Sequence, residues 1–284
     1  MKHLVIGGTG TLGQELIRRL APKYEVTCFS RDELKQQEMR RELGRVRYVI
    51  GDIRDRESLA RAMVDVETVF HVAALKHVDV IEDNPSEAIK TNVLGTINVA
   101  EAALAAGVRH VVFSSTDKAV LPINVYGMTK GLAERYLLGL NRVQDATKFS
   151  VYRWGNVAGS RGSVIHAFAR SLQEERVARV TDARMTRFWI HIADAVEFML
   201  ETYRMAAADR AMIPHMRAYG VVDLVQALAD VLGVKKFTVM FSGLRAGEKI
   251  HETLESNHDF CVRSDTAEMF TKNDIRELLR RAIG

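Results

Sequence analysis

The sequence is poor in cysteine and lacks a long apolar run. Cys28 and Cys261 are the only cysteines among 284 residues, too few for a disulfide framework. No apolar stretch approaches the ~18 residues that a membrane-spanning helix needs. The segment from Met1 to Gly7 reaches a glycine turn too early to contain the apolar core of a secretion signal. We therefore expect a cytoplasmic protein without a membrane partner.

Long blocks of like charge are also missing. The 40 basic and 36 acidic residues give a net charge of +4, and they are interleaved, as in residues 54–57 (RDRE). Nucleic-acid-binding proteins usually cluster basic residues on one face, so we expect no nucleic-acid partner. The nine histidines form no HExxH motif, and no GxSxG segment occurs. We expect no metal ligands and no hydrolase nucleophile of that type.

The first half of the chain alternates short β-branched runs with longer amphipathic segments. The predicted strands are residues 3–6, 25–29, 47–50, 68–72, 110–113 and 149–154. Helical spacing separates them, with one apolar face at Leu12, Leu16, Ile17 and Leu20 and another at Val93, Ile97, Ala100 and Leu104. Alternating strands and helices predict an α/β fold with a doubly wound parallel Rossmann sheet.

This alternation ends near Asn156. We predict a Rossmann domain over residues 1–155 and a smaller α/β substrate-binding lobe over residues 156–284. An exchange of segments between the two is left open. Within the lobe, apolar spacing predicts a helix over 221–232 and a terminal helix over 274–283.

A glycine motif follows the first predicted strand. Gly7, Gly10 and Gly13 have the spacing GxxGxxG between a strand and a helix, where glycines permit a tight turn and let the backbone approach a pyrophosphate. The helix N-terminus adds N–H groups that bind anions. The cofactor-binding residues predicted in this turn are Gly7, Thr9, Gly10, Thr11, Leu12 and Gly13.

The end of the second strand bears on which dinucleotide binds. NAD sites usually place an acidic residue there to hold the ribose 2′-hydroxyl, whereas this strand ends in Ser30 and Arg31, which suit a 2′-phosphate. Asp32 and Glu33 follow and are predicted to cap the next helix, so NAD stays open while NADP is favoured. Further cofactor contacts are expected after the third and fourth strands, at Asp52, Ile53, Ala73 and Ala74.

The reacting groups are predicted beyond the fifth strand. Residues 112–118 (VFSSTDK) run off its end, where parallel sheets place their ligands. Tyr126 and Lys130 follow as a YxxxK motif, and on a helix both project to one face. The ammonium and a positive nicotinamide ring should lower the phenol pKa from ~10, making Tyr126 a base for a sugar hydroxyl. Lys130 is also predicted to bind the nicotinamide ribose.

Together these motifs resemble the extended short-chain dehydrogenase/reductase family. Within it, the sequence is similar to the inverting UDP-N-acetylglucosamine 4,6-dehydratases of the pseudaminic-acid pathway. The resemblance covers nearly the whole chain and rests on residues 7–13, 30–39, 51–55, 73–78, 114–130, 153–164, 181–190 and 244–252. Some relatives have Met at the position of Tyr126, so the tyrosine favours the pseudaminic branch.

The resemblance implies a hydro-lyase reaction. Tyr126 would take the 4-hydroxyl proton while C4 gives hydride to NADP+, and Thr116 would bond the 4-oxygen. Lys118 would then remove the C5 proton, with Asp117 as partner acid or proton relay, before hydride returns to C6. Protonation of C5 from the opposite face would invert it, giving a UDP-2-acetamido-2,6-dideoxy-4-hexulose.

The resemblance also implies a UDP-sugar substrate and a homo-oligomer. The implied substrate-binding residues are Lys76, Asn156, Ser160, Arg161, Arg187, Arg245 and Glu248. Phe188 and Trp189 are predicted to pack in the lobe instead.

Two alternatives remain at this point. A nucleotide-sugar 4-epimerase or reductase on the same scaffold would keep the 6-hydroxyl, whereas dehydration loses one water. A non-catalytic NADP-sensing protein is the other alternative, and the presence of Thr116, Tyr126 and Lys130 argues against it.

Overall fold

The computed structural model describes residues 1–160, 164–205, 209–257 and 260–283. The chain forms two compact units. Unit 1 comprises Met1–Arg153 and Val196–Ile213, and unit 2 comprises Trp154–Ala195 and Pro214–Gly284. The polypeptide therefore leaves unit 1 for unit 2, returns to unit 1, and ends in unit 2.

Unit 1 is built on a six-stranded parallel sheet. Its strands are β1 (Lys2–Ile6), β2 (Glu25–Ser30), β3 (Arg47–Ile50), β4 (Thr68–His71), β5 (His110–Ser114) and β6 (Lys148–Tyr152). They lie in the order β3-β2-β1-β4-β5-β6, and every neighbouring pair is parallel. This confirms the predicted doubly wound Rossmann sheet. The strand order reverses between β1 and β4, and a ligand crevice is expected at the carboxyl ends of these strands.

Helices flank this sheet. They are α1 (Thr11–Leu20), α2 (Glu33–Glu42), α3 (Arg56–Ala62), α4 (Val78–Asp83), α5 (Pro85–Ala88), a π-helix (Ile89–Leu94), α6 (Gly95–Ala105), a 3₁₀ helix (Asp117–Ala119) and α7 (Val125–Leu140). Alternate strand residues point to opposite faces of the sheet. On one face, strand residues such as Leu4, Val69 and Val111 form a buried core with apolar residues of α3, α6 and α7. This core fixes the strand ends on which the site is built.

The π-helix displaces one predicted apolar face. A regular spacing predicts Val93, Ile97, Ala100 and Leu104 on one side, but Ile97 and Leu104 are only partly buried. Val99 and Ala103 are fully buried instead. A π-helix holds more residues per turn than an α-helix, so the residues after it are rotated relative to a 3.6-residue period.

Unit 2 contains three small sheets and several helices. Its elements are β7 (Asn156–Ala158), α8 (Val164–Glu174), β8 (Val177–Val180), β9 (Thr186–His191), β10 (Arg217–Gly220), α10 (Val221–Val231), β11 (Thr238–Phe241), β12 (Thr253–Ser256), β13 (Cys261–Arg263) and α11 (Lys272–Ile283). The sheets have the orders β10-β9-β7, β11-β8 and β12-β13. Helices α10 and α11 confirm the two predicted in this region. Phe188 and Trp189 are buried, as expected, and Trp189 packs edge-on against Tyr219.

Helix α9 (Ile192–Thr202) leads the chain back into unit 1. There Met212 forms a parallel bridge with Tyr152 at the edge of the large sheet. Its N–H donates to the Val151 carbonyl at 2.7 Å, and its carbonyl accepts from the Arg153 N–H at 3.0 Å. The ring of Tyr203 contacts Phe70 edge-on. The returning segment thus completes the edge of unit 1.

Among the helices described, none is long and apolar enough to cross a membrane.

Candidate active site

A cavity of about 270 Å³ opens at the carboxyl ends of β1 to β4. Most of the predicted cofactor residues line it: Gly7, Thr9, Gly10, Ser30, Arg31, Asp52, Ile53, Ala73 and Ala74. Thr11, Leu12 and Gly13 form the first turn of α1 directly after this rim. The structure therefore brings together segments that are more than 60 residues apart in sequence.

The three motif glycines meet different steric demands. Gly7 has φ +83°, and a Cβ there would lie 2.7 Å from the backbone nitrogen of Ala73. A Cβ at Gly13 would lie 2.4 Å from the Gly7 carbonyl oxygen. At Gly10, by contrast, the Gly7 carbonyl oxygen, at 3.2 Å, is the sole described neighbour within 4 Å. Gly10 thus borders space that a side chain would occupy and that a pyrophosphate fits.

Helix α1 adds an anion-binding end to this cavity. Gly10 is its N-cap, and among the described residues no side chain caps it and no acidic residue lies in its first turn. Helix N-termini attract anions through their N–H groups and the helix dipole. The glycine cradle and these N–H groups are the features that were predicted for a dinucleotide site, and they lie at one end of the cavity.

The far end of the cavity is bordered by β2, β3 and the start of α2. Ser30, Arg31, Asp32 and Lys35 line it. One Arg31 guanidinium nitrogen lies 3.6 Å from an Asp52 carboxylate oxygen. The Asp32 carboxylate accepts from the Lys35 N–H at 3.0 Å and caps α2, as predicted. Ser30, Arg31 and Asp32 all supply polar groups at the strand end, and the Asp32 carboxylate also caps α2.

A hydrogen-bonded chain of four side chains lies beyond β5. Asp117 is fully buried, and its Oδ1 accepts from Thr116 Oγ1 at 3.0 Å and from Lys118 Nζ at 3.1 Å. The Thr116 side chain is also hydrogen-bonded to the Tyr126 hydroxyl. The phenol is therefore linked through Thr116 to an acid–base pair.

The acidity of Tyr126 differs from the sequence-based expectation. Burial raises its pKa to about 12, while the Lys118 charge and the hydrogen bond with Thr116 act in the opposite direction. The prediction that the Lys130 ammonium lowers this pKa is wrong for the protein alone. Lys130 Nζ instead donates to the Ser114 carbonyl at 2.6 Å and lies 3.8 Å from the Phe113 ring centroid. The cation that favours the phenolate here is Lys118.

Lys130 is itself strongly perturbed. It is almost fully buried, and burial lowers its pKa to about 7, against the opposing charge of Glu134. Glu134 lies one turn further along α7 and forms a buried ion pair with Arg153 at 2.6 Å. The Glu134 carboxylate thus pairs with Arg153 and also favours the charged form of Lys130.

Two glycines seat the reacting loop against α7. A Cβ at Gly127 would lie 2.1 Å from the Lys118 carbonyl oxygen, and one at Gly131 would lie 3.0 Å from the Ala119 carbonyl oxygen. The two glycines are separated by one helical turn. Because neither has a side chain, they leave a groove on α7, and the 3₁₀ helix packs against it. Sequence reasoning missed this pair, although i, i+4 glycines beginning next to Tyr126 were a usable signal.

Asn92, in the π-helix, fixes the loop after β4. Its side-chain oxygen accepts from the Leu75 N–H at 2.9 Å, and its side-chain nitrogen donates to the Leu75 carbonyl at 3.0 Å. The same nitrogen is 3.2 Å from the Thr129 hydroxyl, which donates to the Tyr126 carbonyl. Nothing in the sequence pattern pointed to Asn92. Lys76, which follows Leu75, is exposed, yet nearby protein atoms desolvate it enough to lower its pKa.

The remaining predicted residues belong to unit 2. Asn156 lies in strand β7, where residues 156–158 pair with β9, and its Nδ2 donates to Tyr219 Oη at 3.2 Å. The Ser160 N–H donates to the Val157 carbonyl at 3.3 Å. Arg161 lies outside the described residues.

Arg245 and Glu248 are brought together by a turn. The Arg245 N–H donates to the Glu248 carboxylate at 3.3 Å, and the Glu248 N–H donates to the Arg245 carbonyl at 3.2 Å. The Arg187 guanidinium instead donates to the backbone carbonyls of Thr186, Lys249 and Ile250 at 2.8 to 2.9 Å. Arg187 thus joins β9 to the chain that follows this turn, and its contact with a ligand stays a prediction.

A model of the polysaccharide biosynthesis protein family matches residues 3–274. The chain belongs to this family. It is an extended short-chain dehydrogenase/reductase, as the motifs indicated.

Relatives of this chain include two kinds of sugar-nucleotide enzyme. It is 42% identical over 264 residues to an inverting UDP-N-acetylglucosamine 4,6-dehydratase of Campylobacter jejuni, with 90% of this chain and 78% of the relative covered. It is 37% identical over 277 residues to a UDP-glucose 4-epimerase of Rickettsia canadensis, with 94% and 81% covered. Among solved structures, Pen from Bacillus thuringiensis matches with a TM-score of 0.91 and 33% identity, over 99% of this chain and 97% of Pen.

Within the described part of this family member, no group of three or more His, Cys, Asp or Glu side chains is arranged to hold a metal.

Proposed function

We propose that this protein is an NADP-dependent UDP-N-acetylglucosamine 4,6-dehydratase that inverts C5. The chain of side chains from Tyr126 through Thr116 to Asp117 and Lys118 carries the proposal. A phenol base suffices to assist oxidation of a sugar hydroxyl, whereas loss of water needs a further acid and base. The 42% identity to an inverting dehydratase supports the same reaction.

The residues around the cavity fit a dinucleotide. Bound NADP+ would accept a hydride from C4 of the sugar and return it to C6, so no cofactor is consumed overall. We assign Gly7, Gly10 and the start of α1 to the pyrophosphate, and Ser30 and Arg31 to the 2′-phosphate. The amide and guanidinium donors suit oxygens that carry negative charge.

Tyr126 is assigned as the base for the 4-hydroxyl proton. Its pKa of about 12 must fall for this step, and the Lys118 charge already acts in that direction. Thr116 is held by Asp117 and lies next to the phenol, which supports its role as a hydrogen-bond partner of the 4-oxygen.

Asp117 and Lys118 are assigned to the elimination of water. Transfer of one proton across their 3.1 Å contact converts the ion pair into a neutral amine and a carboxylic acid with no change in the number of protons. The Lys118 amine then takes the C5 proton, and Asp117 gives its proton to the departing 6-hydroxyl. Water leaves, and the original ion pair is restored.

The predicted residues of unit 2 are assigned to the UDP moiety. The turn that joins Arg245 to Glu248 offers one cation and one carboxylate, which suit a phosphate and a ribose hydroxyl respectively. Asn156 and Ser160 are assigned to the diphosphate, and Lys76 to the sugar. Arg187, which binds backbone carbonyls next to this turn, is assigned to the same region.

Product analysis tests the reaction. Purified protein with UDP-N-acetylglucosamine should give a product about 18 mass units lighter, the mass of one water, without net NADPH formation. In D₂O, wild-type protein should place deuterium at C5, and Lys118→Ala should lose both turnover and deuterium entry. Lys90→Ala, which alters a surface lysine paired with Glu87, serves as the matched control. Wild-type turnover and C5 labelling in Lys118→Ala would show that the assignment is wrong.

A UDP-sugar 4-epimerase is the second candidate. The identity to Rickettsia epimerases favours it, and Tyr126 serves that reaction equally well. A product with unchanged mass and an inverted C4 would establish epimerisation and exclude the dehydratase.

A further inference from the structure

The Gln36 side-chain amide donates a hydrogen bond to the Ser30 hydroxyl. Gln36 is a buried residue of α2, with 5% of its surface exposed. Its Nε2 lies 2.9 Å from Ser30 Oγ, 3.1 Å from the Ser30 carbonyl and 2.9 Å from the Val49 carbonyl. Because three acceptors surround this atom, it must be the amide nitrogen, which donates, rather than the amide oxygen.

These contacts determine whether the Ser30 hydroxyl can donate a hydrogen bond toward the cavity. Ser30 Oγ accepts a hydrogen bond from Gln36, so its own hydrogen is directed away from the amide. Ser30 borders the cavity and Gln36 does not. The hydroxyl hydrogen is therefore available for donation toward the cavity that Ser30 borders. A phosphate dianion has acceptors only, whereas a ribose hydroxyl both donates and accepts.

We propose that Gln36 is a positioning residue for cofactor choice, which orients the Ser30 hydroxyl to donate to the 2′-phosphate of NADP. This inference rests on the NADP part of the proposed function. Gln36 also donates to the carbonyls of Ser30 and Val49, near the ends of β2 and β3.

Two substitutions test the inference. In Gln36→Glu, the carboxylate accepts from Ser30, so the hydroxyl turns its lone pairs to the cavity. In Gln36→Met, the donor is lost and the volume is kept. Gln37→Glu is the matched control, because Gln37 is the next residue of α2 and is exposed. It adds the same charge without touching Ser30.

The measurement is competition between the two cofactors. Each protein is dialysed against equal concentrations of NADP+ and NAD+, and the nucleotides released on denaturation are quantified by chromatography. We expect the bound NADP to NAD ratio to fall about tenfold in Gln36→Glu and about threefold in Gln36→Met, the size of one hydrogen bond to a charged or reoriented group. Gln37→Glu should stay near wild type.

A second arm separates orientation from a general structural effect. In a Ser30→Ala background, Gln36→Met should change the ratio no further, because no hydroxyl remains to orient. An equal further loss in that background, or equal effects of Gln36→Glu and Gln37→Glu, would overturn the inference. Gln36→Met supplies the test if Gln36→Glu does not fold.

Failure of the cofactor assignment gives a different result. A wild-type protein that prefers NAD overturns the NADP assignment together with this inference. A wild-type protein that prefers NADP, with the same ratio in both Gln36 variants, overturns the inference alone. The dehydratase proposal is then unaffected, since it is tested by the product.

Discussion

Gly127 and Lys118 are packed so closely that a Cβ on the glycine would lie 2.1 Å from the lysine carbonyl oxygen. This contact joins the helix that carries Tyr126 to the loop that carries Asp117. The relative position of the Tyr126 phenol and the Asp117–Lys118 pair therefore depends on the absence of a Cβ at residue 127.

Gly127→Ala is expected to displace the reacting loop. Displacements near 1 Å cost about 100-fold in rate when reacting groups must align, so we expect kcat to fall about 100-fold. Gly139→Ala, on the same helix, meets nothing within 4 Å among the described residues. It should leave kcat unchanged and raise the free energy of unfolding by about 0.5 kcal/mol, since alanine favours helices. Steady-state kinetics and urea unfolding check both; equal kcat values in the two variants would refute the packing argument.

Glu134→Gln is expected to change both stability and pH dependence. The substitution deprives Arg153 of its carboxylate partner, and breaking a buried pair costs about 3 kcal/mol. Burial lowers the Lys130 pKa to about 7, and the Glu134 charge opposes that lowering. Because the substitution removes this charge, the Lys130 pKa should fall further. Lys130 is charged below its pKa, so cofactor affinity should decline as pH rises through about 7 in wild type and at lower pH in the variant.

Cofactor titration between pH 5.5 and 9 measures this shift. Glu277→Gln, at an exposed position of α11, is the control and should match wild type in both stability and pH profile. An unchanged pH profile in Glu134→Gln would mean that Glu134 stabilises the fold without acting on Lys130.

His3→Phe is expected to stabilise the protein in acid. Burial lowers the His3 pKa from 6.5 to about 4, with Glu67 partly opposing. The unfolded chain takes up a proton below about pH 6.5, whereas the folded protein does so only near pH 4. Wild type should therefore lose about 3 kcal/mol as pH falls across this window, and the variant should keep it.

The substitution should be tolerated because His3 behaves as an aromatic ring. Both ring nitrogens are buried without a hydrogen-bond partner among the described residues, and the ring packs edge-on against Tyr24 and Phe70. Thermal unfolding at pH 7.5 and pH 5 measures the difference. His166→Gln, at an exposed site, should show the wild-type dependence; a His3→Phe difference that does not grow on acidification would contradict the prediction.

Asn92→Leu is expected to loosen the loop after β4. It removes both hydrogen bonds to the Leu75 backbone, which should cost about 2 kcal/mol and weaken cofactor binding, since Ala73 and Ala74 line the cavity. Thr129→Val removes the third contact of Asn92 and the Thr129 hydrogen bond to the Tyr126 carbonyl, leaves both Leu75 contacts in place, and should have a smaller effect. Calorimetric titration with NADP+ compares them, and equal losses would exclude the Leu75 contacts as the cause.

The sequence predicted the sheet and its cavity well because the segments that form them can each be recognised from a short stretch of sequence. A strand followed by Gly7, Gly10 and Gly13 depends on neighbours within a few residues, and parallel strands then bring their ends together by topology alone. Ser30 and Arg31 were found for the same reason.

Features that depend on contacts between distant segments were missed. The contact of Gln36 with Val49, that of Asn92 with Leu75 and the pair of Glu134 with Arg153 each join elements whose distance only the fold determines. The prediction that Lys130 lowers the Tyr126 pKa was wrong for a related reason. The i, i+4 spacing places Lys130 on the same helix face, but the Ser114 carbonyl binds its ammonium.

The return of the chain at Val196 constrains how the protein is made. Met212 bridges the outer edge of the large sheet beside β6, and it is synthesised some sixty residues after Tyr152, when all of β7 to α9 has already been made. A fragment ending at residue 155 would expose that edge to other nascent chains. Unit 1 can therefore complete its sheet edge only after the intervening segment of unit 2, Trp154–Ala195, has been synthesised.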